Sequence, residues 1–274
     1  MPMVDGRTEI YGIMGSPVAH SLSPAMHNRA FAELSLNKIY VPFPVTDVAA
    51  ALQGFRALGV RGVSVTIPHK QAVLPLLDSI DPVAAAIGAV NTLVVEEGRI
   101  HGLNTDWLGA NRALAEVMEL AGRRVLLLGA GGSARALGFG LREAGAEVII
   151  ASRTPERGRQ LAQDLACEWH DLQTVAGLGA DALVNATSVG MAPASEQSPV
   201  PNLDLARFKV VMDIVYSPLE TRLLREATQS GCRVVGGLEM LLFQGAAQFE
   251  IWTGQAAPLA AMRTELLGRL QKKG

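Results

Sequence analysis

Apolar residues recur along this chain with two periods, and segments of the two kinds alternate from one end to the other. Ile10 to Gly15 is a short apolar run closed by Ser16-Pro17, and Pro24 then opens Ala25 to Glu33, where Met26, Ala30 and Phe31 take helical spacing. Lys38 to Pro44 alternates as a strand does. Val48 to Leu58 predicts a helix stopped by Gly59, and Gly62 to Ile67 is a β-branched run stopped by Pro68. Gln71 to Leu77, Pro82 to Ile87 and the strand Ala89 to Val95 continue the alternation, with Glu97-Gly98 turning into Arg99 to Leu103. Thr105 is expected to cap a long amphipathic helix that carries Trp107, Ala110, Leu114, Val117 and Met118 on one stripe and ends at Gly122.

Arg124 to Leu128 is a buried strand that runs straight into Gly129-Ala130-Gly131-Gly132-Ser133-Ala134 near the middle of the chain. Strands at Glu147 to Ser152, Ala182 to Asn185, Val210 to Val215 and Arg233 to Val235 follow, separated by helical patterns such as Arg157 to Ala166 and Leu219 to Gln229. Apolar strands alternating with helices predict a parallel, doubly wound sheet. The tail, Glu239 to Trp252 and Leu259 to Leu270, is helical with no strand after it. The fold expected is α/β in two domains. Residues 1–105 form an amino-terminal α/β substrate domain, completed by the C-terminal helices 239–274. Residues 106–238 form a Rossmann-like doubly wound cofactor domain that includes the linker helix.

A length of 274 residues, 49% of them hydrophobic, supplies material for two cores. Net charge is −2 with Lys and Arg spread along the chain, which leaves no electrostatic footprint for nucleic acid or an acidic membrane. Cys167 and Cys232 match neither a disulfide framework nor a metal-binding spacing, which suits a reducing cytoplasm. Met1 to Glu9 lacks a secretion signal pattern, and no run of 18 apolar residues occurs. A homodimer is left open, with Ile10 to Ile13 and Lys38 to Pro44 as the edges that would pair.

In the glycine turn, Gly129 permits a tight bend, Gly131 and Gly132 let backbone amides approach a pyrophosphate, and the helix from Ser133 aims its positive end at that anion. Such a turn is weak evidence alone and strong between a strand and a helix. The next strand ends in Ser152-Arg153-Thr154-Pro155-Glu156-Arg157, without the acid that grips an unphosphorylated adenosine ribose. Two guanidiniums and two hydroxyls suit a 2′-phosphate, so NADP(H) is the cofactor expected.

The first half places hydroxyls and charges where α/β proteins carry chemistry, at loops and strand ends: Ser21 and Ser23 before a helix, Thr66 and Lys70 after a strand, and Asp106 at a strand-to-helix junction. Ser23 also reads as the cap of the helix begun by Pro24. A lysine beside a carboxylate in a cleft can exchange a proton with a substrate hydroxyl, the acid/base step a hydride transfer requires.

These residues resemble the shikimate dehydrogenase family, through Ser21-Leu22-Ser23-Pro24, Val65-Thr66-Ile67-Pro68-His69-Lys70, Ala89-Val90-Asn91-Thr92, Asn104-Thr105-Asp106, the Gly129 to Ser133 turn, Asn185-Ala186-Thr187 and Gly237 to Gln244. The seven motifs stand in the family's order and span nearly the whole chain. The resemblance implies reversible, NADPH-dependent reduction of 3-dehydroshikimate to shikimate in the cytoplasm, within chorismate biosynthesis. Lys70 and Asp106 match the family's catalytic pair. Ser21, Ser23, Thr66, Asn91, Asp106, Tyr216 and Gln244 match positions that hold the substrate, and Ile214 and Gly237 match positions that border the nicotinamide. Gly129, Ala130, Gly131, Gly132, Ser133, Ser152, Arg153, Thr154 and Arg157 complete the cofactor set. No metal is expected. Ser64 departs from the Asn often found there, and Leu103 and Trp107 flank Asn104-Thr105-Asp106 where a polar residue and Gly are common. A quinate or dual quinate/shikimate dehydrogenase is the nearest alternative. A catalytically silent NADP-binding sensor is a distant one, against which the retained Lys70 and Asp106 speak.

Overall fold

The computed structural model describes residues 4–271, so the ends of the Met1 to Glu9 stretch and of the tail, residues 1–3 and 272–274, lie outside the described residues. The chain parts into two compact units, Met1–Thr105 with Gln244–Gly274, and Asp106–Phe243. The return to the first unit therefore falls at Gln244, a little beyond the Glu239 read from the sequence.

The first unit holds a mixed sheet built from β1 (Glu9–Gly15), β2 (Lys38–Pro44), β3 (Gly62–Val65), β4 (Ser79–Ile80), β5 (Thr92–Glu96) and β6 (Arg99–Leu103), in the order β2-β1-β3-β5-β6-β4. β1 runs parallel to β2 and β3, while β5 is antiparallel to both β3 and β6. β1 is thus an interior strand, and only β2 of the two candidate pairing segments is an edge. One face of the sheet packs Val63, Val65, Leu93 and Ile100 on Leu52 and Phe55 of α2 (Val48–Ala57) and on Ala84, in α3 (Pro82–Ile87). Rings gather elsewhere in the unit, where Tyr11, Phe31 of α1 (Ser23–Glu33) and Phe249 and Trp252 of α8 (Gly237–Thr253) meet at centroid distances of 5.5–5.6 Å. α9 (Leu259–Gln271) ends the chain.

Three local departures from the sequence reading have physical causes. Gln71 to Leu77 forms only a short 3-10 turn, Leu74–Leu76, because Pro75 has no N–H to continue a helix. Ser23 is no cap: α1 starts at Ser23 itself, with Leu22 at the cap position, and the Ser21 hydroxyl accepts from the Ser23 N–H at 3.3 Å. β5 begins only at Thr92, since the Val90 N–H is turned to the Lys70 carbonyl at 2.8 Å.

The second unit holds α4 (Asp106–Ala115), β7 (Arg124–Leu128), α5 (Gly132–Glu143), β8 (Glu147–Ser152), α6 (Pro155–Asp164), β9 (Glu168–Asp171), β10 (Ala182–Asn185), β11 (Val210–Asp213), α7 (Arg222–Gln229) and β12 (Arg233–Val235). Its six strands are all parallel, in the order β9-β8-β7-β10-β11-β12. This is the doubly wound 3-2-1-4-5-6 order, with its reversal between β7 and β10. Along β7 alternate residues serve opposite faces: Val125 and Leu127 pack toward α4, α5 and α6, and Leu126 and Leu128 toward α7. The linker helix is shorter than its stripe, because the N–H groups of Val117 and Met118 both turn back to the Leu114 carbonyl. Val117 and Met118 still pack on the core. No helix among the described residues is long and apolar enough to cross a membrane.

His27 is fully buried and stacks on Tyr40, ring centroids 4.5 Å apart, and burial pushes its pKa down to about 3. The unfolded chain therefore binds this proton first, near the ordinary value of about 6.5. Stability is lost as pH falls from about 6.5 toward 3, on the order of 3 kcal/mol by pH 4 from this group. Asp213 acts in the opposite sense, its carboxyl being raised by burial to about 6. Urea unfolding of wild type and His27→Phe separates the two: the advantage of the variant should grow steadily on acidification, and a pH-independent difference would refute the assignment.

Candidate active site

In the first unit Ser21 and Thr66 sit on loops that follow strands, Ser23 opens α1, Asn91 directly precedes β5, and Gln244 lies in α8. Thr66 comes directly after β3, its N–H bonded to the Met14 carbonyl at 3.0 Å and its own carbonyl accepting from the His69 N–H at 2.9 Å. His69 is buried and joins the Val45 carbonyl through Nε2 at 2.8 Å, so it braces the turn that carries Lys70. The Lys70 carbonyl takes the N–H of Val90, which sets the backbone of Lys70 beside Asn91.

Asn91 is buried, and its orientation is fixed from both ends. Its Oδ1 accepts from the backbone N–H of Thr105 and from the Thr92 hydroxyl, each at 2.7 Å. Its Nδ2 donates to Thr105 Oγ1 at 3.0 Å and to Gln244 Oε1 at 3.4 Å. The fold thus brings Asn91 and Gln244 together across 153 residues of sequence. Thr105 stands directly before α4, where a cap is expected; its hydroxyl accepts from Asn91 Nδ2 within this buried cluster, and it hands the chain on to Asp106, itself only 4% exposed.

In the second unit the glycine turn lies where the strand order reverses. Gly129 leaves β7 with φ +118°, a region open to glycine, and a Cβ there would stand 3.1–3.2 Å from Thr187 Cγ2 and the Ala186 carbonyl. Gly131 differs. It has ordinary extended backbone, and a Cβ on it would meet nothing within 4 Å. Nothing in the protein requires that glycine, which fits a group from outside lying against the amino end of α5. Arg153, directly after β8, and Arg157, in the first turn of α6, are exposed, with no ion-pair partner among the described residues. Ser152 is placed otherwise: its hydroxyl donates to the Thr154 carbonyl at 3.1 Å and accepts from Trp169 Nε1 at 3.0 Å. In this arrangement its hydroxyl braces the loop that carries Arg153 and Thr154.

Beside the turn, Asp213 at the end of β11 accepts from Asn185 Nδ2 at 2.9 Å, the Val215 N–H at 3.0 Å and the Thr221 hydroxyl at 2.7 Å. This anchors the segment carrying Ile214 and Tyr216, whose phenol burial pushes its pKa up. Gly237 lies so close under that segment that a Cβ would fall 2.3 Å from the Ile214 carbonyl oxygen. Trp107 packs on Gly140 and edge-on to Phe139 of α5, 6.0 Å between ring centroids, so it is part of the helix packing of its own unit.

Residues 13–93 match the family described as the shikimate dehydrogenase substrate binding domain, 111–214 the shikimate / quinate 5-dehydrogenase family, and 237–267 the shikimate 5′-dehydrogenase C-terminal domain. The shikimate dehydrogenase (NADP(+)) of Moorella thermoacetica is 48% identical over 96% of this chain and 94% of its own. The chain belongs to the shikimate dehydrogenase family. Among solved structures, a shikimate dehydrogenase in complex with NADP+ superposes with a TM-score of 0.93 at 38% identity, covering 98% of both chains. That of Thermus thermophilus, in complex with NADP(H) and shikimate, gives 0.87 at 41% identity over 95% of this chain and 99% of its own.

Within this member of the family, sequence reasoning missed Thr92, Gln248 and Asp213 as parts of the site's support. Signals for two of them were present: Gln248 stands four residues after Gln244 in an otherwise apolar stretch of α8, and Asp213 is a lone carboxylate closing an apolar strand.

The two glycines of the turn should separate in a melting experiment. Gly129→Ala forces a side chain into a strained backbone region at a cost of about 1–3 kcal/mol and should lower the melting temperature by several degrees. Gly131→Ala should melt within about a degree of wild type; a large loss there would show that the protein itself needs that glycine.

Proposed function

We propose that this chain is an NADP-dependent shikimate dehydrogenase, interconverting 3-dehydroshikimate and shikimate. The observation that carries the reading is that relatives so named match it across both units, while each unit keeps the polar groups the reaction needs. The substrate is a small molecule; the setting is the cytoplasm, without nucleic acid, and β2, the open edge of its sheet, is where a second copy would pair.

In this reading Ser21, Ser23, Thr66, Asn91, Tyr216 and Gln244 hold the carboxylate and hydroxyls of the substrate. Lys70 donates its proton to the substrate oxygen as the carbonyl is reduced and takes it back when the alcohol is oxidised; Asp106 orients Lys70. The backbone amides of Gly129 to Ser133 receive the pyrophosphate, and Arg153, Thr154 and Arg157 take the 2′-phosphate with forked, permanently charged donors. Ile214 and Gly237 border the nicotinamide. NADP(H), when bound, supplies or accepts the hydride. Burial of the reacting atoms away from water strengthens each of these charged contacts.

Turnover of shikimate and of quinate, each with NADP+ and with NAD+, tests the reading: shikimate with NADP+ should be fastest, and faster quinate oxidation with NAD+ would overturn it. Lys70→Ala should lower kcat at least about a hundredfold, the scale of general acid/base catalysis, and leave NADP affinity almost unchanged. A variant with near-normal turnover would remove Lys70 from the proton step. Arg153→Ala combined with Arg157→Ala should raise the KM for NADP+ about 10- to 100-fold, as loss of charge-assisted hydrogen bonds predicts. The KM for NAD+ should stay put, and a parallel rise in both would count against the 2′-phosphate role.

A further inference from the structure

A directed chain of hydrogen bonds runs through the core of the first unit and ends on Asn91. Gln248 Nε2 donates to the Asn91 backbone carbonyl at 3.1 Å and to Thr92 Oγ1 at 3.0 Å. A carbonyl only accepts, so the amide of Gln248 has one possible orientation, with Oε1 facing Ser64. Ser64 must then give its single proton to Oε1, at 2.8 Å, and accept from the Tyr40 phenol at 2.6 Å. Thr92, already accepting from Gln248, gives its own proton to Asn91 Oδ1 at 2.7 Å. Ser64, Thr92, Asn91 and Gln248 are each at most 5% exposed, and Tyr40 1%. Burial raises the pKa of the Tyr40 phenol, and its bond to the Ser64 hydroxyl draws it back. The relay thus runs from Tyr40 to Asn91, one of the proposed substrate residues.

Ser64 lies directly across from Thr92 in the β3–β5 pairing.

We infer that Gln248 is a positioning residue for substrate binding: from α8 it holds the Asn91 backbone carbonyl and the Thr92 hydroxyl, and so steadies the Asn91 amide whose direction the Thr105 N–H fixes. The assignment rests on the dehydrogenase reading given above. Gln248 does not touch the substrate; it braces the residue that does.

Steady-state kinetics on the full chain test this. Gln248→Met keeps the volume and loses both hydrogen-bonding ends, and should raise the KM for shikimate about fivefold or more, the worth of one buried hydrogen bond, with kcat changed less than about twofold and the KM for NADP+ unchanged. Gln248→Ala should behave alike. Melting curves and NADP+ binding report whether each variant folds, and Gln248→Met, the least disruptive, carries the test should Gln248→Ala fail to fold. A wild-type KM in Gln248→Met, or equal rises for shikimate and NADP+, would overturn the assignment. A wild type that does not oxidise shikimate would instead overturn the proposed function.

Discussion

A backbone N–H can only donate, and the 2.7 Å bond from Thr105 N–H to Asn91 Oδ1 therefore removes a choice that a buried carboxamide would otherwise have. From that one constraint the rest of the substrate unit follows. With Oδ1 fixed, Thr92 must donate to it, Gln248 must donate to Thr92, and Nδ2 must face Thr105 Oγ1 and Gln244. The same N–H belongs to the last residue of the unit's first segment, so the point where the chain leaves for the other unit is tied to a buried side chain at the centre of the site. Removing one member of such a network leaves its neighbours unsatisfied in a medium of low polarity, which costs more than the bond itself.

The second unit uses a buried carboxylate to the same end. Asp213 gathers the side-chain amide of Asn185, the last residue of β10, and a backbone N–H and a hydroxyl from the loop that follows β11, at the carboxyl ends of the parallel strands. Loops are ordinarily the loosest parts of an α/β fold. Here they are held from below by polar groups whose desolvation would be unfavourable unless the loops stay in place.

Much of this organisation was legible in the amino-acid order, because strands buried on both faces read as unbroken apolar runs and the helices between them keep a 3.6 period. β7, β8, β10 and β11 are of this kind. β9, with the sequence Glu-Trp-His-Asp, has no apolar run and lies at the sheet edge, where polar side chains are tolerated, so periodicity gave no sign of it. The site shows the same division. Hydroxyls, amides and charges at strand ends could be named as candidates, yet their tasks depend on partners far along the chain. Ser152 reads as a phosphate ligand, yet its hydroxyl also donates to the Thr154 carbonyl and accepts from Trp169, 17 residues on. Ser64 reads as a bare deviation, while Gln248, the partner of its hydroxyl, is 184 positions away.

The discontinuity of the substrate unit bears on how the chain is made. Its sheet is encoded first, but Gln244, Gln248, Phe249 and Trp252 arrive only after all six strands of the other unit have been synthesised. Asp106–Phe243 is contiguous and can collapse as soon as it emerges, whereas Tyr11, Phe31 and Tyr40 must wait, partly uncovered, for α8. Growing on the ribosome, the polypeptide would complete the strands of both sheets before α8 arrives to cover the rings of the first one.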